Sequence, residues 1–166
     1  MQLYPDLLDK ELIPDVLQLY KQSVNQVTIN GKTSERFNVS HNRGLVLLSK
    51  YNDDEFKFIW DSIKDKLPEG TTVASNRILK YRTGGHFRRH VDGKKKGTPD
   101  QNVSLIIQLS DPNTNYVGGD MTVNDETIDL SMGDAVAYWY GEPHEVKMVY
   151  EGARYVINLR LFIPEQ

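Results

Sequence analysis

The 166-residue sequence contains no cysteine, which excludes disulfides and thiolate metal sites such as zinc fingers and iron–sulfur clusters. It has no run of about 18 apolar residues that could cross a membrane. Its N-terminus lacks the basic segment and apolar run that mark a signal peptide, so we expect an intracellular, cytoplasmic protein. The net charge of −3 argues against a protein that coats a polyanion over its whole surface.

The hydrophobic pattern changes its period partway along the chain. Apolar residues with helical spacing predict one helix from Ile13, with Pro14 in its first turn, and a second over residues 52–67. The polar stretch between them predicts a loop or a short hairpin around Asn30 and Gly31. Later segments alternate with period two, which is typical of strands. They are TTVASNRILKYR, NVSLIIQLS, DMTVND, DAVAYWY, EVKMVY and RYVINLRLFI.

Helices followed by a run of strands predict a mainly β fold with supporting α-helices. About eight antiparallel strands close naturally as a jelly roll, a cupin-like double-stranded β-helix, with the helices packed on one sheet. We expect a single domain over residues 1–166, with helical support in 1–70 and the β-helix core in 71–166.

The last predicted strand, RYVINLRLFI, has two faces of different character. One face, which we expect to pack under the helices, consists of Tyr155, Ile157, Leu159 and Leu161. The opposite face consists of Arg154, Val156, Asn158 and Arg160. Two arginines and an asparagine on an inner face require a charged or polar ligand.

The stretch YRTGGHFRRHVDG concentrates residue types that a hydrophobic core does not need. His90 and Asp92 lie two residues apart, so in an extended segment both side chains project from one face and can share a metal ion. For the third ligand we favour His144, at the start of a predicted strand, over His41 and His86, which we expect at the surface. Two histidines and a carboxylate form the facial triad of non-haem iron(II) oxygenases. Zinc would accept the same ligands, but structural zinc sites are normally closed by four.

Arg154 follows His144 by ten residues, across the turn EGA. We expect antiparallel strands joined by this turn to bring the arginine beneath the metal. A guanidinium there is suited to a bidentate grip on a carboxylate. An open metal site together with a fixed arginine implies an anionic, chelating cosubstrate.

Three segments, KYRTGGHFRRHVDG, YVGGDMTV and GDAVAYWYGEPHEVKMVYEGARYVINLRLF, resemble the 2-oxoglutarate/Fe(II)-dependent dioxygenases of the prolyl 4-hydroxylase type. The resemblance covers about residues 76–163. It implies that His90, Asp92 and His144 are the catalytic iron ligands and that Arg154 pairs with the distal carboxylate of 2-oxoglutarate. It also implies O2 as a cosubstrate, with ascorbate as a further candidate.

The same resemblance implies further residues around the cosubstrate. Tyr81 matches a tyrosine that lines the pocket, and Ile106 and Gln108 lie on the strand whose inner residues flank it. Gly118 with Gly119 matches the family's paired glycines. Arg160 stands where prolyl hydroxylases often carry a tryptophan, and we expect it near the cosubstrate or paired to an acid. An arginine pair at this spacing is similar to that of the AlkB-type nucleic-acid demethylases, whose histidine-to-arginine interval is longer.

The resemblance implies oxidative decarboxylation of 2-oxoglutarate to succinate, coupled to hydroxylation of a C–H bond, with peptidyl proline as the leading substrate. A nucleic acid or a free amino acid is the alternative substrate, and a non-catalytic cupin-like metal-binding module is the alternative outside enzymes. We expect residues 93–101 to form a solvated, lid-like loop. Its basic residues could attract an acidic peptide, whereas no RNA-binding aromatic signature supports a nucleic acid. The basic residues around the site are Arg82, Arg88, Arg89, Lys94, Lys95 and Lys96.

Overall fold

The computed structural model describes residues 1–25, 28–29, 32–33, 37–40, 43–50, 53–93 and 101–164. These ranges contain two α-helices, α1 (Ile13–Asn25) and α2 (Asp53–Ile63), and fifteen strands. The strands are β1 (Gln2–Tyr4), β2 (Thr28–Ile29), β3 (Lys32–Thr33), β4 (Phe37–Ser40), β5 (Arg43–Lys50), β6 (Thr72–Tyr81), β7 (Phe87–His90), β8 (Val103–Gln108), β9 (Tyr116–Gly118), β10 (Met121–Val123), β11 (Glu126–Ile128), β12 (Ala135–Trp139), β13 (His144–Val146), β14 (Val149–Gly152) and β15 (Arg154–Phe162). Within the same ranges, neither helix is long and apolar enough to cross a membrane.

Both predicted helices are present. Pro14 occupies the first turn of α1, where its missing N–H costs no helical hydrogen bond. α2 ends at Ile63 and continues into a short 3₁₀ turn, Lys64–Lys66. The two helices bury one apolar stripe each against the same hydrophobic cluster. The buried helical side chains include Val16, Tyr20, Phe56, Ile59 and Ile63.

Eleven of the strands form one sheet that folds back on itself. Its order is β1-β12-β8-β15-β6-β5-β7-β13-β10-β11, with β4 beside β5. Along the chain, β6, β8, β12 and β15 fall in one half of this order, and β7, β10, β11 and β13 fall in the other. This alternation between two antiparallel halves is the predicted double-stranded β-helix.

Two hydrophobic clusters lie on opposite faces of β15. Ile157, Leu159 and Leu161 join the helices in one cluster, and Val156 joins a second cluster inside the β-helix. The two-faced reading of this strand is therefore confirmed. Because β15 pairs with both β6 and β8, its inner face forms part of the floor of the β-helix interior.

The stretch between the two helices contains more strand than predicted. β2 and β3 pair as the expected hairpin, with Thr28 opposite Thr33, while the two turn residues and His41 lie outside the described residues. The reading of the remainder as loop was wrong, because β4 and β5 pair there and β5 extends the large sheet beside β6. The apolar run of β5 is too short for periodicity alone to identify. Most of the predicted lid-like loop, residues 94–100, also lies outside the described residues.

Replacing Ile157 with alanine should lower the free energy of unfolding by about 2–5 kcal/mol, because the side chain is 1% exposed in the cluster beneath the helices. Urea denaturation of the metal-free protein measures this. Leu3→Ala is the control, since Leu3 is 45% exposed and its loss should cost no more than about 0.5 kcal/mol. Equal losses in the two variants would contradict a central position for β15.

Candidate active site

The three predicted metal ligands meet inside the β-helix. His90 ends β7, Asp92 follows it, and His144 begins β13, which pairs antiparallel with β7 so that His144 lies opposite His90. Asp92 Oδ1 lies 3.6 Å from His90 Nε2 and 3.5 Å from His144 Nε2. One ligand atom from each residue lies within 4.8 Å of the others. Such a group can bind one side of a metal ion and leave its other positions open.

Backbone carbonyls fix the orientation of both histidine rings. The carbonyl of Arg88 accepts a hydrogen bond from His90 Nδ1 at 2.6 Å, and that of Glu142 accepts one from His144 Nδ1 at 3.0 Å. Because a carbonyl only accepts, each Nδ1 carries the proton and each Nε2 presents its lone pair to the metal position. The ring of Phe87 stacks on His90 with centroids 4.6 Å apart and holds that ring in place.

Asp92 uses its two oxygens differently. Its Oδ2 accepts a hydrogen bond from Ser104 Oγ at 2.7 Å and pairs with Arg160, while Oδ1 faces the histidines. Burial by itself raises the pKa of the Asp92 carboxyl. The adjacent histidines, His144 and His90, together with the charge of Arg160, outweigh burial and hold that pKa well below its usual range. The carboxylate is therefore ionised and oriented before any metal binds.

Arg154 is a buried cation with an unused donor. It is 2% exposed; its Nε donates to Gln108 Oε1 at 3.1 Å, and its guanidinium lies 5.4 Å from the ring centre of Tyr81. Gln108 is itself fixed, because its Nε2 donates to the Ser110 carbonyl and to the Tyr116 hydroxyl. Arg154 NH1 has no hydrogen-bond partner among the described residues. A buried charged donor left unpaired is costly, so the structure favours an anion at this position.

The route by which Arg154 reaches the interior differs from the prediction. The expected hairpin across the turn EGA is wrong, because β14 pairs with β9 while β15 pairs with β6 and β8. Arg154 lies opposite Tyr81, in the other half of the sheet from His144. β14 ends at Gly152 (φ +72), where a Cβ atom would lie 2.1 Å from the Asn115 carbonyl oxygen, so this close approach to the start of β9 requires glycine. The sequence pattern indicates the turn at EGA, but it does not indicate which strands pair with each other.

One cavity joins these groups. Its lining residues are Arg77, Leu79, Tyr81, Phe87, His90, Asp92, Ile106, Met121, Tyr138, His144, Val146, Arg154, Asn158 and Arg160. All the predicted site residues line it except Gln108, which supports Arg154 from behind. Arg160 lies against Asp92.

Sequence reasoning missed two polar residues of this cavity, Arg77 and Tyr138. The ring of Tyr138 lies 4.2 Å from that of His144, and burial raises the pKa of its hydroxyl well above the usual range, so the phenol stays neutral. Period-two alternation along their strands could have placed both side chains on the inner face of the sheet. Tyr138 shares an inner face with Val136, and Arg77 shares one with Tyr81.

The residues of this cavity fit a divalent metal ion and an anionic chelating ligand. Two Nε2 lone pairs and an ionised carboxylate oxygen converge in one part of the cavity. The unpaired NH1 of Arg154, elsewhere in its wall, fits a carboxylate of the same ligand.

Comparison with known proteins gives one family and a consistent set of relatives. The model of the 2OG-Fe(II) oxygenase superfamily matches residues 77–161, just over half of the chain. A PKHD-type hydroxylase of Pseudomonas putida (strain W619) is 35% identical over an 85-position alignment that covers 45% of this chain and 37% of the relative. A PKHD-type hydroxylase of Hyphomonas neptunium is 33% identical over a 93-position alignment that covers 50% of this chain and 41% of the relative. The matched region thus spans about two fifths of the length of these relatives.

Solved structures of similar fold cover nearly the whole chain. A prolyl-4-hydroxylase of Pseudomonas putida superposes with a TM-score of 0.69 at 16% identity, covering 99% of this chain and 92% of the other. A viral collagen prolyl hydroxylase from Paramecium Bursaria Chlorella virus-1, in a 2OG complex, gives 0.66 at 13% identity, covering 96% and 94%. At these identities the likeness shows the fold alone, and it agrees with the double-stranded β-helix described above.

Replacing Arg160 with glutamine should weaken Co(II) binding by about 10- to 100-fold, because the charge that holds Asp92 Oδ2 and lowers the pKa of that carboxyl is lost. The loss should grow as the pH falls, since protons then compete better for Asp92. Titration followed by the visible absorption of Co(II) measures the affinity, with Arg88→Gln, an exposed arginine of β7, as the control. Unchanged Co(II) affinity with weakened 2-oxoglutarate binding would instead place Arg160 on the cosubstrate.

Proposed function

The chain belongs to the 2OG-Fe(II) oxygenase superfamily, and from this premise we propose that it is a dioxygenase that uses Fe(II), 2-oxoglutarate and O2 to hydroxylate a C–H bond. One observation carries the proposal: a single cavity holds both a His–Asp–His group and a buried arginine with an unpaired donor. A keto acid with a second carboxylate at its far end is complementary to both features.

Each group at the site has a defined task in this proposal. His90, Asp92 and His144 would hold Fe(II), which supplies oxygen activation coupled to decarboxylation of 2-oxoglutarate. Arg154, oriented by Gln108, would bind the distal carboxylate. Apolar side chains of the same cavity exclude water from these charges, which strengthens their interactions. The apolar wall consists of Leu79, Ile106, Met121 and Val146.

Peptidyl proline is the substrate that we propose. Support comes from the relatives named as PKHD-type hydroxylases and from structural neighbours named as prolyl hydroxylases. A free amino acid or a nucleic acid would use the same iron chemistry, because the iron site does not select the substrate. The rest of the cavity therefore has to provide the selectivity.

The charges of the cavity wall favour an acidic substrate. Its described lining residues include three arginines and one carboxylate, Asp92. Arg160 pairs with Asp92, and Arg154 is assigned to the cosubstrate. Arg77 also lines the cavity and donates to Asn158 Oδ1 at 3.3 Å, so the lining residues carry more positive than negative charge. A peptide with acidic residues beside the reacting carbon is complementary to this wall.

Anaerobic addition of Fe(II) and 2-oxoglutarate to the metal-free protein should produce the visible absorption band of an iron–keto-acid chelate. The band should be absent in His144→Ala, which lacks a ligand. In Arg154→Gln it should require about 10- to 150-fold more 2-oxoglutarate, because a charge-assisted hydrogen bond is lost.

Ile157→Ala is the matched control for this titration, because it perturbs β15 on the face away from the cavity. Its 2-oxoglutarate requirement should equal that of the wild type at a temperature where both are folded. Metal binding without the band in the wild type would overturn the oxygenase proposal and favour a cupin-like module without catalysis.

Proline peptides flanked by glutamate should stimulate succinate formation with a KM about two- to fivefold lower than lysine-flanked peptides of the same length, since opposite charges then meet Arg77. The difference should shrink with salt and in Arg77→Gln. Initial rates of succinate release measure it. Stimulation by an oligonucleotide or a free amino acid, and by none of the peptides, would contradict the peptide assignment.

A further inference from the structure

The hairpin between β10 and β11 turns through two residues in an unusual backbone conformation. Val123 pairs with Glu126, so Asn124 and Asp125 alone form the turn. Their φ angles are +52° and +65°. Positive φ at both central positions is characteristic of the type I′ turn, which suits the twist of a two-residue hairpin and is tolerated by asparagine and aspartate. This turn therefore presents its two side chains in a fixed direction.

Asn124 holds the segment that leads into His144. β10 pairs with β13, with Val123 opposite His144. The backbone N–H of Asn124 donates to the Pro143 carbonyl at 2.8 Å, and its side-chain amide donates to Glu142 Oε1 at 2.8 Å. Glu142 also provides the carbonyl that orients the His144 ring. Asn124 thus contacts both residues that precede the metal ligand.

Asp125 holds the segment that leads into His90. Arg89 Nε donates to Asp125 Oδ1 at 2.8 Å, and Arg89 NH2 donates to Oδ2 at 3.1 Å. This two-bond fork has the geometry in which arginine fixes a carboxylate most specifically. Arg89 lies between His90 and Arg88, whose carbonyl orients the His90 ring.

We propose that the Asn124–Asp125 turn is a positioning clamp, which aligns both ligand histidines through the peptides whose carbonyls hold their Nδ1 atoms. This inference rests on the metal site proposed above. The side chains of Arg89 and Asp125 are 54% and 67% exposed, so the ion pair adds little to the stability of the fold. The ion pair instead constrains the angle between the His90 and His144 imidazoles, whose ring centres are 4.3 Å apart.

The Asp125→Gly variant tests the clamp without disrupting the turn. The variant contains Asn-Gly, the pair that most favours a type I′ turn, so the hairpin is kept while the fork to Arg89 is lost. We expect the dissociation constant for Co(II) alone to rise about three- to tenfold. This is just below the loss of metal affinity that is typical when a residue hydrogen-bonded to a metal-ligating side chain is replaced. The visible Co(II) spectrum should change in shape, and the urea midpoint of the metal-free protein should stay the same or rise. Asn124→Gly combined with Asp125→Gly should weaken Co(II) binding further.

Two comparisons give the experiment its controls. Asp125→Asn keeps one acceptor for Arg89 and should restore most of the affinity. Asp61→Asn removes another exposed ion pair, that of Lys57 and Asp61 on α2, and should leave Co(II) binding unchanged. Wild-type affinity and spectrum in Asp125→Gly would overturn the clamp while leaving the metal site intact. Failure of the wild-type protein to bind Co(II) would overturn both proposals.

Discussion

The carboxylate of Asp92 connects the two halves of the β-helix chemically. One of its oxygens faces the histidines of β7 and β13, and the other is held by Ser104 of β8 and Arg160 of β15. The pKa of Asp92 is lowered, so its stabilising interactions are present at neutral pH and are lost only as the pH falls below the usual range of an aspartate. Both histidines, Ser104 and Arg160 are arranged around this fixed charge.

A second buried charge, Arg154, makes the cavity a binding site for a particular shape of ligand. Gln108 holds its Nε, and this fixes the position of NH1, which has no hydrogen-bond partner in the described part of the chain. The histidine–carboxylate group and this arginine come from opposite halves of the sheet, so the spacing between them is set by the closure of the β-helix. Closure is in turn maintained by the hydrophobic clusters on either face of β15. The energy of ordinary apolar packing therefore holds two charged sites at a constant separation.

Membership of the 2OG-Fe(II) oxygenase superfamily agrees with this arrangement. Arg160 stands where the prolyl hydroxylase resemblance leads one to expect a tryptophan, and it pairs with Asp92, one of the three candidate metal ligands. Arg77 and Asn158 add a polar wall beside it. In the proposed function, the histidine–carboxylate group would hold the iron, and Arg77 and Asn158 would contribute to the choice of substrate. Iron binding and substrate choice can therefore vary independently within one fold.

The sequence by itself determined both helices and most strands of the β-helix, and it indicated the chemistry of the site. Period-two alternation identified β6, β8, β12 and β15, and the spacing of His90, Asp92, His144 and Arg154 indicated the metal and anion sites. These are local patterns, and local patterns record which face of a strand each side chain occupies. Only the tertiary structure decided which strands are neighbours: β15 beside β6 and not β14, β5 in the large sheet, Arg160 on Asp92, and the Asn124–Asp125 turn across both histidine segments. Strand pairing joins residues distant in sequence through backbone hydrogen bonds that any residue except proline can make, so the identity of the partner leaves little trace in the sequence.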